Sequence, residues 1–303
     1  MAYGTPAGPE ELEAYYTHIR RGRPPTPELL SELSRRYAAI GGQSPLLERT
    51  RAQVEGLERA LAQAGRPDIK VALGMKHAAP FIEDTVARLA AGGAEAIIGL
   101  VLAPHFSRMS VGEYAERARA AAAAASRSPA ISVVPSWHLA TGYLEFLTDA
   151  LRSALDSLPK ADGGAHVLFT AHSLPARILD DDDPYPAQLR ETASAVAGRL
   201  GLRRWSIAWQ SAGRTPEAWL GPDVLQELEA LAAAGTRAVV VCPAGFVSDH
   251  LEILYDLDIE ASARARELGI TFARTAAPNA DPRLLGALAG VVLETVAECA
   301  AAA

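Results

Sequence analysis

The sequence contains few of the features that mark specialised protein classes. Only two cysteines, Cys242 and Cys299, occur among 303 residues. They are too few for a zinc ribbon or an all-cysteine iron–sulfur site, and they indicate a reduced, cytoplasmic protein rather than a disulfide scaffold. Lysine and arginine total 29 against 36 aspartates and glutamates, so the formal net charge is -7. Because nucleic-acid binding requires a basic surface, we expect no nucleic-acid partner.

Long hydrophobic runs are also missing. A bilayer span takes roughly 20 apolar residues, and the nearest candidate, residues 284–303, carries Glu294 and Glu298. We interpret this stretch as an amphipathic closing helix and expect no stable membrane insertion. The N-terminus shows no basic segment followed by an apolar one, so no secretion signal is predicted. The sequence contains neither the P-loop motif G-x-x-x-x-G-K-[ST] nor a strand followed by G-x-G-x-x-G, and the absence of both disfavours a nucleotide ligand.

What the sequence does contain is short apolar runs that alternate with long helical patterns. Such alternation is typical of βαβ units, in which a parallel sheet is covered by helices on both faces. We therefore predict an α/β fold. The predicted strands are residues 69–74, 96–103, 131–134, 166–170, 205–209, 238–242 and 270–273.

The strands divide as three plus four, and the two groups resemble each other. The opening residues Met1–Pro6 match Thr170–Pro175 in the spacing of Ala and Pro, and the segments that follow the later strands also correspond. The sequence thus predicts two similar Rossmann-like halves, residues 1–150 and residues 151–303, each with a four-stranded parallel sheet. The first strand of the first half is apparently missing at the N-terminus.

An acidic helix and a histidine are the first candidates for a functional site. Glu252, Asp256 and Glu260 are spaced four residues apart, so they lie on one face of a helix. A solvated acidic face explains them as well as a ladder of oxygen ligands for a divalent cation does. His172 follows the predicted strand at residues 166–170, at the end where ligands bind in open parallel sheets, although a structural histidine is the commoner case. Ser173 lacks the motif of a serine hydrolase.

A basic cluster is the second candidate. Five arginines fall within 17 residues of this acidic chain: Arg20, Arg21, Arg23, Arg35 and Arg36. They are either solvated helix ends or an anion site, since guanidinium groups bind carboxylates in a bidentate manner.

Taken together, these motifs resemble the ferrochelatase family. The resemblance covers essentially the whole chain and extends over several long motifs in the same order: Met1–Pro6, Tyr15–Arg23, Arg36–Leu46, Ala103–Ser107, Thr170–Pro175, Trp209–Asp223 and Gly245–Glu260. The version at Tyr15–Arg23 is similar to that of the soluble, monomeric enzymes of Gram-positive bacteria, which insert Fe²⁺ into coproporphyrin III in haem biosynthesis.

The resemblance implies a role for each site residue. His172 and Glu252 would be the catalytic and metal-binding pair, and Asp256 and Glu260 would form a second divalent-cation site. The residues expected to contact the porphyrin are Tyr3, Arg20, Arg36, Tyr37, Ser44 and Tyr114. Iron is expected as a substrate, no prosthetic group is expected, and two cysteines exclude the [2Fe–2S] cluster of some relatives.

Other functions remain open from the sequence alone. One alternative is insertion of iron into protoporphyrin IX, and another is a cobalt or nickel chelatase that acts on a different tetrapyrrole. A two-lobed metal or tetrapyrrole carrier is a third. The carrier would bind iron and porphyrin without accelerating metallation.

Overall fold

The computed structural model describes residues 1–159 and 164–302. Its contacts group them into two compact units. Unit 1 comprises residues 1–137, 248–251 and 279–303, and unit 2 comprises residues 138–247 and 252–278.

The protein is a mixed α/β structure with parallel sheets flanked by helices. The strands of the described residues are β1 (Ala96–Gly99), β2 (Ala130–Val133), β3 (His166–His172), β4 (Trp205–Gln210), β5 (Ala238–Cys242) and β6 (Thr271–Arg274). The α-helices are α1 (Leu12–Ile19), α2 (Pro27–Ala39), α3 (Leu46–Gln63), α4 (Ile82–Ala91), α5 (Glu113–Ala124), α6 (Thr141–Ser157), α7 (Tyr185–Leu200), α8 (Val224–Ala233), α9 (Leu251–Ile253), α10 (Ser262–Glu267) and α11 (Pro282–Ala302). Two π-helices occur, Arg108–Gly112 and Leu254–Ala261.

The sheet of unit 2 has four parallel strands in the order β4-β3-β5-β6. All five residues of β5 are buried, as expected for a strand covered by helices on both faces. Helix α6 packs against β5 and β6, and α7 and α8 pack against β4. The ends of these strands are therefore held by a largely apolar core.

The sheet of unit 1 is smaller than predicted. β1 and β2 pair in parallel, but the run at residues 69–74 forms no strand. Met75, the residue after this run, forms isolated bridges to Ala2 and Phe81. The N-terminal segment also bonds to the chain that follows β1, because the Met1 carbonyl accepts a hydrogen bond from Leu102 N at 2.9 Å. Unit 1 thus repeats the order β4-β3-β5-β6. Residues 74–77 take the place of β4, the N-terminal segment that of β3, β1 that of β5 and β2 that of β6.

The two units differ from the predicted halves in their boundaries. Helix α6 belongs to unit 2 although most of it precedes residue 151, and α11 belongs to unit 1, where it packs against α3. The division at residue 150 and the missing first strand remain predictions. Part of the polar stretch between the halves, residues 160–163, lies outside the described residues.

Helix α11 corresponds to the closing helix predicted at residues 284–303. By length and composition it is the one helix of the described residues that could cross a membrane. Leu284, Leu285 and Leu288 are buried, and the helix packs against α3 and β1. A core helix has the same length and composition, so this property alone is weak evidence for a membrane span.

Candidate active site

Strand β3 delivers His172 to the site. It is the last residue of a strand that is hydrogen-bonded to β4 on one side and β5 on the other. The five residues before it are buried, whereas the His172 side chain is 36% exposed. The strand therefore fixes the backbone of a histidine whose side chain can reach a substrate.

Glu252 reaches the same point from the acidic helix. It lies in α9, which continues without interruption as the π-helix Leu254–Ala261. Such π-helical turns are frequent at functional sites. Glu252 Oε1 lies 3.6 Å from His172 Nε2, and the Glu252 side chain is 30% exposed. An imidazole and a carboxylate thus share one accessible position within unit 2.

The orientation of the His172 ring follows from its other nitrogen. Nδ1 lies 2.5 Å from the main-chain carbonyl oxygen of Ser173. A carbonyl can only accept, so Nδ1 carries the proton and donates it. The unprotonated Nε2 atom faces Glu252, and its lone pair can accept a proton or a metal ion.

The charge on His172 is set by two opposing effects. Burial lowers its pKa, but the charge and hydrogen bond of Glu252 raise it, with smaller contributions from the Ser173 carbonyl and Asp256, and the pKa ends above its usual value. An adjacent carboxylate stabilises the imidazolium form. The arrangement makes Nε2 a stronger proton acceptor than an ordinary histidine.

Tyr185, which the sequence analysis did not single out, supports His172 from α7. Its hydroxyl donates to the His172 carbonyl at 3.0 Å, and its ring packs on Trp209 with centroids 5.5 Å apart. Burial, followed by the negative charges of Glu252 and Asp183, raises the pKa of Tyr185. The hydroxyl therefore stays protonated and remains a donor.

The rest of the acidic ladder is arranged differently from expectation. Asp256 is buried, and its Oδ2 accepts a 2.5 Å hydrogen bond from Ser211 Oγ. Ser211 has a φ of 60°, a conformation that is uncommon for residues other than glycine. Glu260 is half-buried. Among the described residues no group of three or more His, Cys, Asp or Glu side chains is placed to hold a metal ion, so the second cation site stays a prediction.

Unit 1 contains Tyr3 and the two arginines that are predicted to contact the porphyrin, Arg20 and Arg36. The Tyr3 side chain is exposed, and its ring centroid lies 4.6 Å from that of His77. Arg20 Nε donates to the Arg23 carbonyl at 3.2 Å, and Arg36 Nε lies 3.7 Å from Glu32 one helical turn away. The Arg36–Glu32 pair is partly exposed, and pairs of this kind contribute little to stability.

The remaining predicted porphyrin contacts are buried in unit 1. Tyr37 pairs its hydroxyl with that of Thr5 at 3.1 Å, and Ser44 Oγ accepts from Leu46 N at 3.3 Å. Tyr114 packs beneath Lys76, whose Nζ lies 5.3 Å from its ring centroid. Each of the three has an internal packing role in this structure, and their contact with porphyrin stays a prediction.

A histidine pair in unit 1 has no counterpart in the sequence-based predictions. The Nδ1 atoms of His18 and His77 lie 2.9 Å apart, and the His18 ring stacks on Phe81. Burial, followed by the positive charges of Lys76, His18 and Arg117, lowers the pKa of His77 to about 3. His77 is therefore neutral and a weak base at neutral pH, unlike His172.

Comparison with known proteins agrees with the resemblance drawn from the motifs. The protein-family model Ferrochelatase matches residues 1–296. The coproporphyrin III ferrochelatase of Anoxybacillus flavithermus is 46% identical over 297 residues, which cover 97% of this chain and 94% of that protein. The coproporphyrin III ferrochelatase of Bacillus subtilis is 43% identical over 298 residues, with coverage of 97% and 96%. A protein of Deinococcus radiodurans named ferrochelatase is 43% identical over 303 residues, with coverage of 99% and 96%.

A solved structure shares the fold. SirB from Bacillus subtilis, determined with Fe³⁺, superposes with a TM-score of 0.57 over 80% of this chain and 90% of its own. Its sequence identity is 14%, so the likeness concerns the fold alone. The family match over nearly the full length and the relatives above 40% identity lead to one conclusion: this chain belongs to the ferrochelatase family.

Proposed function

We propose that the protein inserts Fe²⁺ into coproporphyrin III to give iron coproporphyrin III, a step of haem biosynthesis. The observation that carries the proposal is the His172–Glu252 pair, whose Nε2 and Oε1 atoms lie 3.6 Å apart. Two ligands that each bind a metal at about 2 Å are separated by 3 to 4 Å. An imidazole and a carboxylate suit a divalent first-row metal that must later be released.

The same pair supports the proton chemistry. Metallation replaces two pyrrole N–H protons with one Fe²⁺, so the site needs a base that works near neutral pH. Once the metal has passed to the porphyrin, His172 can accept one of these protons at Nε2 and the Glu252 carboxylate beside it can accept the other. The raised pKa of His172 is the direction that favours its protonation. The Nδ1 donation to Ser173 keeps the ring in place while Nε2 changes its protonation state.

We assign porphyrin recognition to Tyr3, Arg20, Arg36, Tyr37, Ser44 and Tyr114. The support is the match of these positions to the family motifs. The four propionates of coproporphyrin III offer partners for more guanidinium groups than the two of protoporphyrin IX. Asp256 and Glu260 are assigned to a second divalent cation.

The proposal extends to the location, the oligomeric state and the prosthetic groups of the protein. It acts as a cytoplasmic monomer without a prosthetic group, in keeping with the soluble Gram-positive enzymes that it resembles. The two cysteines support the absence of an iron–sulfur cluster, because four thiolates are usual for one. Cys242 is buried, and Cys299 Sγ lies 2.9 Å from Ser132 Oγ.

Anaerobic turnover tests the function directly. We expect the purified protein to metallate coproporphyrin III with Fe²⁺ faster than protoporphyrin IX. Faster metallation of protoporphyrin IX would contradict coproporphyrin III as the preferred substrate, but it would still support iron insertion into a porphyrin. Turnover with Co²⁺ or Ni²⁺ but not Fe²⁺ would contradict the metal, and tight binding of both substrates without acceleration would identify a carrier.

A further inference from the structure

Gln210 occupies a central place between the two residues of the metal-binding pair. It is the last residue of β4, and its side chain is almost completely buried, with the residue 3% exposed. In the β3–β4 ladder it is the direct partner of His172. Three of its atoms make hydrogen bonds to the segments that carry the site.

The main chain of Gln210 acts on the His172 side. Its carbonyl oxygen accepts a 2.7 Å hydrogen bond from Ser173 N. The Ser173 carbonyl in turn accepts from His172 Nδ1. Gln210 therefore holds the residue that orients the imidazole ring.

The side chain of Gln210 acts on the Glu252 side. Its Nε2 atom donates to the main-chain carbonyl of Glu252 at 3.3 Å. This carbonyl lies two residues before the π-helix that begins at Leu254, where the helical hydrogen-bonding pattern changes. The amide thus holds the first turn of the acidic helix against β4.

Thr170 determines which end of the Gln210 amide faces Glu252. Its buried hydroxyl donates to Gln210 Oε1 at 2.8 Å. If the amide were reversed, Oε1 would face the Glu252 carbonyl, and two acceptors would oppose each other. The Thr170–Gln210–Glu252 chain therefore has one satisfied arrangement.

We propose that Gln210 is a positioning residue that sets the separation of His172 Nε2 and Glu252 Oε1. The inference rests on the proposed function of that pair. Replacing a residue that is hydrogen-bonded to a metal ligand, and so orients it, typically lowers metal affinity or activity by about 10 to 100-fold.

The test compares Gln210→Met with Gln53→Met. Gln53 is a matched control because it is also buried and its Nε2 also donates to a main-chain carbonyl, that of Asn279, at 2.9 Å. We expect Gln210→Met to lower kcat/KM for Fe²⁺ about tenfold or more while KM for coproporphyrin III stays unchanged. Calorimetry with Zn²⁺ as the probe should show a similar loss of affinity. Gln53→Met should lower only the melting temperature.

Thr170 provides a second, milder test. Thr170→Val removes the hydroxyl that orients the amide and should change the same two quantities in the same direction, whereas Thr170→Ser should restore them. These variants decide the matter if Gln210→Met does not fold.

The outcomes separate this inference from the proposed function. Equal Zn²⁺ affinity and equal KM for Fe²⁺ in Gln210→Met and Gln53→Met would overturn the positioning role, as would unchanged values in Thr170→Val. If the unmodified protein metallates no porphyrin but Gln210→Met still loses Zn²⁺ affinity, the proposed function fails and the positioning role stands.

Discussion

Gly245 packs against Ala171 so closely that a Cβ atom at position 245 would lie 2.4 Å from the Ala171 Cβ and 2.7 Å from its Cα. The contact is reinforced by a 2.9 Å hydrogen bond from Gly245 N to the Thr170 carbonyl. Because Ala171 immediately precedes His172, any residue larger than glycine at this point must displace the end of β3 or the loop that leads to the acidic helix.

Gly245→Ala should therefore damage both stability and the site. Forcing a methyl group into a packed core costs about 1–3 kcal/mol, and we expect a lower melting temperature together with a lower kcat for metallation. Gly198→Ala is the control, since Gly198 lies in α7 with no atom within 4 Å of a built Cβ, and there alanine should stabilise by about 0.5–1 kcal/mol. Equal melting temperatures for the two variants would show that the chain relaxes around position 245 at no cost.

His172→Ala should abolish most metallation and leave porphyrin affinity intact. The substitution removes Nε2, the atom that faces Glu252, without touching the residues assigned to porphyrin binding. Turnover and fluorescence titration of coproporphyrin III measure the two properties separately. His166→Ala, at the other end of the same strand, should keep activity. Retained turnover in His172→Ala would show that a residue other than His172 is the base.

Glu252→Gln should lower the pKa of His172. The carboxylate that raises it is removed, while burial, which lowers it, remains. Titration of the imidazole by NMR measures the change. Glu260→Gln is the control, because Glu260 is not among the groups that shift this pKa. An unchanged His172 pKa in Glu252→Gln would mean that Glu252 does not interact with the ring in solution.

The same shift predicts a pH dependence of stability. A histidine with a raised pKa in the folded protein binds protons more tightly there than in the unfolded chain, whose reference value is 6.5. Its contribution to stability is complete below pH 6.5 and is lost as the pH rises through the folded-state pKa. Urea unfolding should therefore show a stability advantage of the unmodified protein over Glu252→Gln that shrinks from pH 6 to pH 8.

Substrate preference should depend on Arg20 and Arg36. A charge-assisted hydrogen bond contributes about 1.5–3 kcal/mol when it is made, and screening by salt reduces that value. Two additional propionates should thus favour coproporphyrin III over protoporphyrin IX by about tenfold in kcat/KM. Arg20→Ala or Arg36→Ala should reduce this ratio, most clearly at low salt, whereas Arg35→Ala, on the exposed side of α2, should not.

The sequence predicted strands best where they are buried on both faces. The run at residues 238–242 corresponds to β5 without any change of boundary, because a continuous apolar run between helices has no other stable place. The run at residues 69–74 is also largely apolar but forms no strand. A strand needs a neighbour to pair with, and the main-chain bond that this run makes to the N-terminal segment is the one from Ala2 N to Gly74 O among the described residues. The apolar composition of a run therefore predicts that it is buried, but it does not predict whether a neighbouring strand is available to pair with it.

The site could be predicted only in part. Placing His172 and Glu252 at neighbouring strand ends required the motifs, and their separation of 3.6 Å required the structure. No feature of the sequence indicated the role of Gln210, which depends on the register that pairs it with His172. The helix spacing of Asp256 placed it on the same face as Glu252 and gave no sign of its bond to Ser211.

The assignment of α11 to unit 1 has a consequence for the order in which the protein is made. Residues 1–137 leave the ribosome first, yet α3 is covered by Leu285 and its neighbours only after α11 has been synthesised. At about 5–20 residues per second, the surface of α3 around Gly56 and Leu57 is uncovered for about 10–45 s. All of unit 2, residues 138–247 and 252–278, is synthesised within that interval. The unit that begins first is therefore completed last, and the nascent chain carries an open apolar face after the strand that bears His172 has been synthesised.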